Sequence, residues 1–372
     1  MQKLKKNKLS QILEKLLLSD YFVLYLSIVC FLILWLFIPV LGSQRNIENI
    51  FSNMWPLLAI AIGQMFVLLI GGIDLSQVGL IGFLSVIGSA VVCRKLNPNV
   101  FSNSPLWGKV LFENGSGIES IPLSIALSIL IMLLFAVLIG LLNGLLISKF
   151  KMPNFMVTLV FQMLLSAVAI FLTASENITG LPDAYITIGN DNVFSVFSIG
   201  SFIVIAQCIA AHFILSKTKL GKWIYAVGMN PKASRISGIP NDKIVIFVYI
   251  AIAFSTAIGT LLYTTRMMAG RPTLGATILM DIIGATVIGG TSMYGGKGKV
   301  TGTIFGVLFF VLLGNVLNHM RLNYATINIV KGAAIMVAAY IDVTRMKLSK
   351  NILIADDKKE AIHHFQEHEK EA

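Results

Sequence analysis

Residues 70–76 read Ile-Gly-Gly-Ile-Asp-Leu-Ser, and residues 288–296 read Ile-Gly-Gly-Thr-Ser-Met-Tyr-Gly-Gly. Each stretch interrupts a long aliphatic run and begins with a Gly-Gly pair, which weakens a helix by about 1 kcal/mol per glycine relative to alanine. Irregular backbone at membrane depth persists only where it is buried in protein or lines a water-filled path. Paired interruptions in a very apolar chain therefore point to a transport path.

The composition around these two breaks is that of a membrane protein. Of the 372 residues, 56% are hydrophobic and only 13% are charged, whereas soluble domains carry about 25% charged residues. We predict an all-α, polytopic integral membrane protein of about ten transmembrane helices, with two related halves and broken helices. The predicted spans are 21–41, 54–70, 77–93, 121–146, 153–173, 198–215, 244–263, 278–290, 300–318 and 326–343. The eighth is shorter than the roughly 20 residues that a full crossing needs, so it is a broken helix or begins in the preceding Gly/Pro segment.

The basic residues give the expected orientation. The formal net charge is +11, but these residues cluster in short loops, as membrane topology requires, and nucleic-acid binding is not expected. With the N-terminus in the cytoplasm, 21 Lys and Arg fall on the cytoplasmic side and seven on the opposite side, with Lys331 inside the last span. We therefore predict a multi-pass protein of the bacterial inner membrane with both termini in the cytoplasm.

The chain divides into three parts. Residues 1–20 form a basic cytoplasmic N-terminus, residues 21–343 a transmembrane domain, and residues 344–372 a charged cytoplasmic tail. On the opposite side of the membrane, residues 94–120 and 174–197 are rich in Asn, Ser, Gly and Pro and are expected to be exposed connectors.

Sequence motifs for catalysis or cofactor binding are missing. The stretch before Lys297 fails the phosphate-loop pattern, because Thr291 stands where the first glycine is needed and Gly298 where Ser or Thr is needed. Hydrolase and zinc-protease motifs are also absent, and the three cysteines have no metal-ligand spacing. We expect no enzyme, no cofactor and no metal site.

Few ionisable residues lie in or beside the spans: Asp74, Asp281, His212 and, as a lone cation, Lys331. Asp74 and Asp281 each stand at a helix break or end, where a carboxylate commonly caps a helix. We favour capping or another local structural role for both over a direct role in transport, more strongly for Asp281.

The longest cytoplasmic loop, residues 216–243, predicts a short surface helix. Asn230 is a good N-cap, Pro231 suits the first helical position, and Gly238 ends the helix. Its basic face includes Arg235. Two interpretations remain open: a connector held by lipid headgroups, or a docking helix for a soluble partner.

Taken together, the chain resembles the permease subunit of bacterial ABC importers for monosaccharides, of the ribose/xylose/galactose permease type. The resemblance covers about residues 50–345. The stretches that carry it are residues 71–76, residues 140–144 with Pro153, Phe155, Thr158 and Leu159, residues 221–239, and residues 288–298 with Gly302.

The resemblance implies an ATP-driven importer for a monosaccharide or similar small polar solute. Two permease copies, identical or different, would form the pore within the lipid. Cytosolic ABC ATPase subunits would dock on the coupling loops, and an extracytoplasmic solute-binding protein would deliver the solute. The expected path or gate residues are Gly71, Gly72, Asp74, Ser76, Gly289, Gly290, Thr291, Ser292, Gly295 and Gly296. The expected ATPase-coupling residues are Gly221, Ala226, Gly228, Asn230, Ala233, Arg235 and Gly238.

Two other functions stay open. A secondary transporter or facilitator working alone is disfavoured, because the spans hold few ionisable groups to couple an ion gradient. A subunit of another membrane complex is the third hypothesis. Sequence does not distinguish pentose, hexose, polyol, nucleoside or furanosyl solutes.

Overall fold

The structure is a computed structural model that describes residues 21–343 apart from 191, 195, 338, 341 and 342. The predicted N-terminal segment and charged tail lie outside the described residues. The helices are α1 (Phe22–Phe37), α2 (Gln44–Leu69), α3 (Gln77–Val92), α4 (Ile121–Ser148), α5 (Asn154–Thr173), α6 (Asp183–Asn190), α7 (Ile199–Lys217), α8 (Lys219–Met229), α9 (Pro231–Ile236), α10 (Asn241–Met267), α11 (Leu279–Ile288), α12 (Val300–His319) and α13 (Tyr324–Val337). Short elements complete the chain: 3₁₀ turns Pro39–Gly42 and Leu274–Thr277, one helical turn Pro98–Phe101, and an antiparallel pair of β1 (Asn192–Phe194) and β2 (Phe197–Ser198).

The all-α membrane architecture is confirmed. Each of the ten predicted spans coincides with a helix, and six of these helices are long and apolar enough to cross a membrane. The eighth span is the ten-residue α11, preceded by the 3₁₀ turn, as its short apolar run indicated. The predicted start of α2 at residue 54 is wrong. The helix begins at Gln44, because the Ser43 hydroxyl accepts a hydrogen bond from Asn46 N at 3.3 Å and caps a polar first segment.

Helices α2 and α10 form the centre of the bundle. The most apolar part of α2 is 89% buried, whereas the corresponding part of α5 is 22% buried. Helix α10 packs most extensively against α4 and α2. A large apolar cluster joins α2 and α10 to α7, α8, α11 and α12, and a second cluster joins α3, α4 and α5.

Close contact between α4 and α10 depends on two glycines four residues apart. A Cβ atom at Gly140 would lie 2.8 Å from Ala253 Cβ, and one at Gly144 would lie 2.8 Å from Ile246 Cα. Small residues at this spacing let membrane helices approach backbone to backbone, which replaces the hydrophobic driving force that lipid cannot supply. This contact explains why glycines stand at both ends of the stretch 140–144.

Residues 94–120 and 174–197 are not merely exposed connectors, which corrects the sequence-based expectation. The side chains of Phe101, Leu111 and Tyr185 are buried against the second apolar cluster. Arg94 donates hydrogen bonds to Ile118 O and to Ser124 Oγ at the start of α4, and this contact closes the first segment. Apolar residues within these polar segments fold them back on the bundle.

Candidate functional site

The two glycine breaks have the backbone conformations that their sequences predict. Gly71, just after α2, has φ +75°, and the chain then runs without helix to α3. After α11, Gly290 has φ +85°, Gly295 +88° and Gly296 +72°. Glycine adopts these positive φ values without the strain that a side chain would cause, so both breaks rely on glycine for their shape.

The structure brings the two breaks into direct contact. Gly296 N donates a hydrogen bond to Leu69 O at 2.8 Å, so the end of α2 is paired with the loop after α11. A Cβ atom at Gly295 would lie 2.9 Å from Gly71 N. The breaks are far apart in the sequence but form one unit, which we call the glycine junction: residues 69–72 with residues 294–298.

Helix α8 of the long loop packs against the glycine junction. A Cβ atom at Gly228 would collide with Leu69 O and lie 2.6 Å from Gly296 N. The Tyr225 hydroxyl donates to Gly298 O at 2.8 Å, and burial raises the pKa of Tyr225, which keeps this donor protonated. Gly228, an expected coupling residue, therefore contacts both segments of the glycine junction.

Asp74 and Ser76 form a buried polar network beside the first break. Asp74 Oδ1 accepts hydrogen bonds from Ser76 N at 2.8 Å and from Ser76 Oγ at 2.6 Å. Ser76 Oγ also accepts from Asn143 Nδ2 on α4 at 3.0 Å. Gly72 is buried nearby, where a Cβ atom would lie 2.8 Å from Asn154 Nδ2. This geometry fits the structural interpretation of Asp74, in which its carboxylate organises the start of α3.

The second break is a tight loop with a buried base. Thr291 and Ser292 are buried. Ser292 N donates to Lys297 O at 2.8 Å, and Ser292 Oγ accepts from Tyr294 N at 3.2 Å. Gly289 packs against the backbone of Gly302 on α12. Tyr294 is exposed, so the loop is buried where it begins and reaches solvent at Tyr294.

The predicted surface helix is present as α9. Asn230 Oδ1 accepts from Lys232 N and from Ala233 N, each at 3.0 Å, which confirms the N-cap, and Gly238 follows the helix with φ +80°. In the preceding α8, Gly221 N donates to Thr218 Oγ1 at 3.2 Å.

The exposed face of the loop is both apolar and basic. Met229 and Ile236 are 71% and 88% exposed. Ala226 O accepts from Asn230 N at 3.1 Å and so joins α8 to α9. Arg235 is not a free charge, because it pairs with Asp242 at 3.2 Å. Exposed apolar side chains at the loop suit a protein partner and also the lipid headgroup region, so both interpretations from the sequence stay open.

The other three ionisable residues that the sequence singled out lie away from the junction. Lys331 was expected to be a lone cation, which is wrong: its Nζ lies 2.8 Å from Asp281 Oδ2. A buried charge is retained when it is paired, and both side chains are largely buried. His212 is exposed on α7. Within the described residues, His, Cys, Asp and Glu form no group of three that could hold a metal.

Comparison with known proteins identifies the family. A family model described as "Branched-chain amino acid transport system / permease component" matches residues 46–339. The chain belongs to this family. It is 31% identical over 311 residues to the ribose import permease protein RbsC of Haemophilus influenzae, covering 82% of this chain and 87% of the relative.

Other relatives give the same result. The ribose import permease protein RbsC of Bacillus subtilis is 32% identical over 312 residues, covering 82% of this chain and 86% of the relative. The L-arabinose ABC transporter permease protein AraH of Azospirillum brasilense is 26% identical over 319 residues, covering 85% of each chain. Among solved structures there is no match. The resemblance to sugar-importer permeases is thus confirmed at the level of the family.

Proposed function

We propose that this permease is the transmembrane subunit of an ATP-driven importer for a monosaccharide, with ATP hydrolysed by separate cytosolic subunits docked on α8 and α9. The observation that carries this proposal is the position of Gly228. It lies on α8 and, at the same time, against Leu69 and Gly296 of the glycine junction.

Close packing at Gly228 would transmit movement from α8 to the glycine junction. Backbone atoms of α8, α2 and the loop after α11 meet without intervening side chains, and packed interfaces shift between discrete arrangements more readily than they deform. A displacement of α9 by the ATPase would therefore move α8 and the glycine junction together. The ends of α2 and α11 would move with the junction, and these ends border the proposed path.

The orientation proposed from the basic residues places the junction on the cytoplasmic side. Helices α8 and α9, the C-terminal ends of α2 and α11 and the start of α12 then share this side. The N-terminal end of α2 and the C-terminal ends of α10 and α12 lie on the opposite side. The exposed face of α5 would contact lipid or a second permease copy, because Phe155, Met156 and Met163 are exposed there. An extracytoplasmic binding protein would deliver the solute at the far end.

Pentoses are the proposed solutes. Relatives named for ribose and L-arabinose import match most of this chain, and a xylose transport system permease of Escherichia coli matches 35% of it. The proposed path residues are those expected from the sequence, namely the residues of the two breaks. Asp74 and Ser76 would hold the first break in place.

Reconstitution tests the proposal directly. The permease is placed in lipid vesicles with the ABC ATPase and the solute-binding protein of its own importer, and uptake of labelled ribose, arabinose and xylose is measured. We expect uptake that needs ATP and both partners. Uptake by the permease alone, driven by an ion gradient, would instead establish the stand-alone transporter.

A further inference from the structure

A second polar site lies at the other end of the bundle from the glycine junction. A cavity of about 420 Å³ opens between the N-terminal half of α2, the C-terminal half of α12, and the residues Asp281 of α11 and Lys331 of α13. Its volume falls within the range of about 300–1,000 Å³ that is typical of small-molecule sites. None of the four sequence signatures includes these residues.

The cavity lies at membrane depth. Lys331 stands seven residues into α13, which is about 10 Å of helix at 1.5 Å per residue. Charged side chains inside membrane spans face a bundle interior or a water-filled cavity and usually mark a solute or ion pathway. A cavity walled by amides and an ion pair would be unfavourable against lipid, so its lining suits water or a polar solute.

The polar walls of the cavity are held in place by their own hydrogen bonds. Asn315 Nδ2 donates to Asn46 Oδ1 at 2.8 Å, and His319 Nε2 lies 2.9 Å from the same oxygen. Also on α2, Asn49 and Asn53 line the cavity, and Arg266 donates to Asn53 Oδ1 at 3.1 Å and to Asn49 Oδ1 at 2.8 Å. These contacts fix the side chains before any ligand arrives, which lowers the cost of binding.

Unused hydrogen-bonding groups remain in the cavity. Lys331 Nζ has three donors, of which Asp281 takes one within the described part of the chain. In the same described residues, the exposed side chain of Asn318 makes no hydrogen bond. Gly314 leaves space next to the lysine, because a Cβ atom there would be 3.7 Å from Lys331 Nζ.

We propose that this cavity is a binding subsite for the neutral, polyhydroxylated solute, occupied as it enters from the side opposite the ATPase. The lining suits such a ligand, since amides both donate and accept, as sugar hydroxyls do. The ion pair adds stronger charge-assisted contacts without a net charge. This subsite rests on the proposed function and extends it to a region that contains neither break.

Sugar protection of a reporter cysteine is the first test. Asn318→Cys and, as a control, Gln44→Cys are made in a background in which Cys30, Cys93 and Cys208 are replaced by alanine. Gln44 lies on the same end of the bundle, on α2, and bonds only Glu48 among the described residues. We expect ribose or xylose to slow thiol labelling at position 318 and not at 44. Equal labelling with and without sugar at both positions would overturn the subsite.

The second test measures ATP-coupled transport, and it separates a failure of the subsite from a failure of the proposed function. Asn318→Leu removes a polar contact, Gly314→Val fills the cavity, and Gln44→Leu is the matched control. We expect about a 3- to 10-fold loss of sugar transported per ATP in the first two variants, with ATPase stimulation by the binding protein kept. If these variants transport as much sugar per ATP as the control while the wild type is active, the subsite is wrong. If the wild type shows no ATP-dependent uptake, the proposed function fails, and the subsite fails with it.

Discussion

At the scale of single residues, Gly228 is the glycine with the least room for a side chain in the part of the chain that the structure describes. Its missing side chain lets Leu69 O and Gly296 N approach α8. We predict that Gly228→Ala forces these backbones apart and lowers stability by about 1–3 kcal/mol, the usual cost of overpacking. Thermal unfolding in detergent measures the loss, and vesicle uptake measures the coupling.

Gly332→Ala provides the matched control for that substitution. Gly332 lies in α13, and a Cβ atom there would have no neighbour within 4 Å. We expect this variant to unfold at the wild-type temperature or slightly above it, because alanine favours helix. Equal behaviour of the two variants would show that the contact at Gly228 does not constrain the junction.

Asp74 gives a second prediction at this scale. Asn keeps an oxygen that can accept from Ser76 N and Oγ, whereas Leu leaves the Ser76 N–H buried without its acceptor, which costs about 1–3 kcal/mol. We predict that Asp74→Asn retains part of the uptake activity and Asp74→Leu loses most of it. Equal uptake by both variants would remove Asp74 from the site.

At the scale of elements, α9 depends on its N-cap. Replacing Asn230 by Ala removes the acceptor for Lys232 N and Ala233 N and should destabilise this short helix by about 1 kcal/mol. We predict weaker stimulation of the ATPase by the permease for Asn230→Ala and near-normal stimulation for Asn230→Ser, which can still cap. Full stimulation by Asn230→Ala would argue against docking through α9.

The positions of the elements follow closely from sequence, because apolar runs and caps are local signals. The ten spans and the cap of α9 were predicted on that basis. The start of α2 was missed, because residues 44–53 are too polar to register as a span although Ser43 marks the helix start. Asn46, Asn49 and Asn53 recur there at helical spacing, a signal for the polar cavity that could have been read.

At the scale of the whole molecule, most contacts between distant segments could not be predicted from the sequence. The hydrogen bond between Gly296 and Leu69, which joins the two breaks, depends on how α2 and α11 pack together. The ion pair of Lys331 and Asp281 likewise joins α13 to α11. For this pair the sequence does carry a signal, because rare ionisable residues of opposite charge in apolar spans usually pair with one another.

We propose that helix α9, where the ATPase would dock, moves as one body with the glycine junction when ATP binds. Spin labels at Lys232 on α9 and at Tyr294 in the second break test this, because both side chains are exposed. In the assembled importer, we predict that ATP leaves the distance between labels 232 and 294 within one copy unchanged. The distance between the two copies' 294 labels should change. A shift of 232 relative to 294, with the distance between copies unchanged, would contradict transmission through the junction.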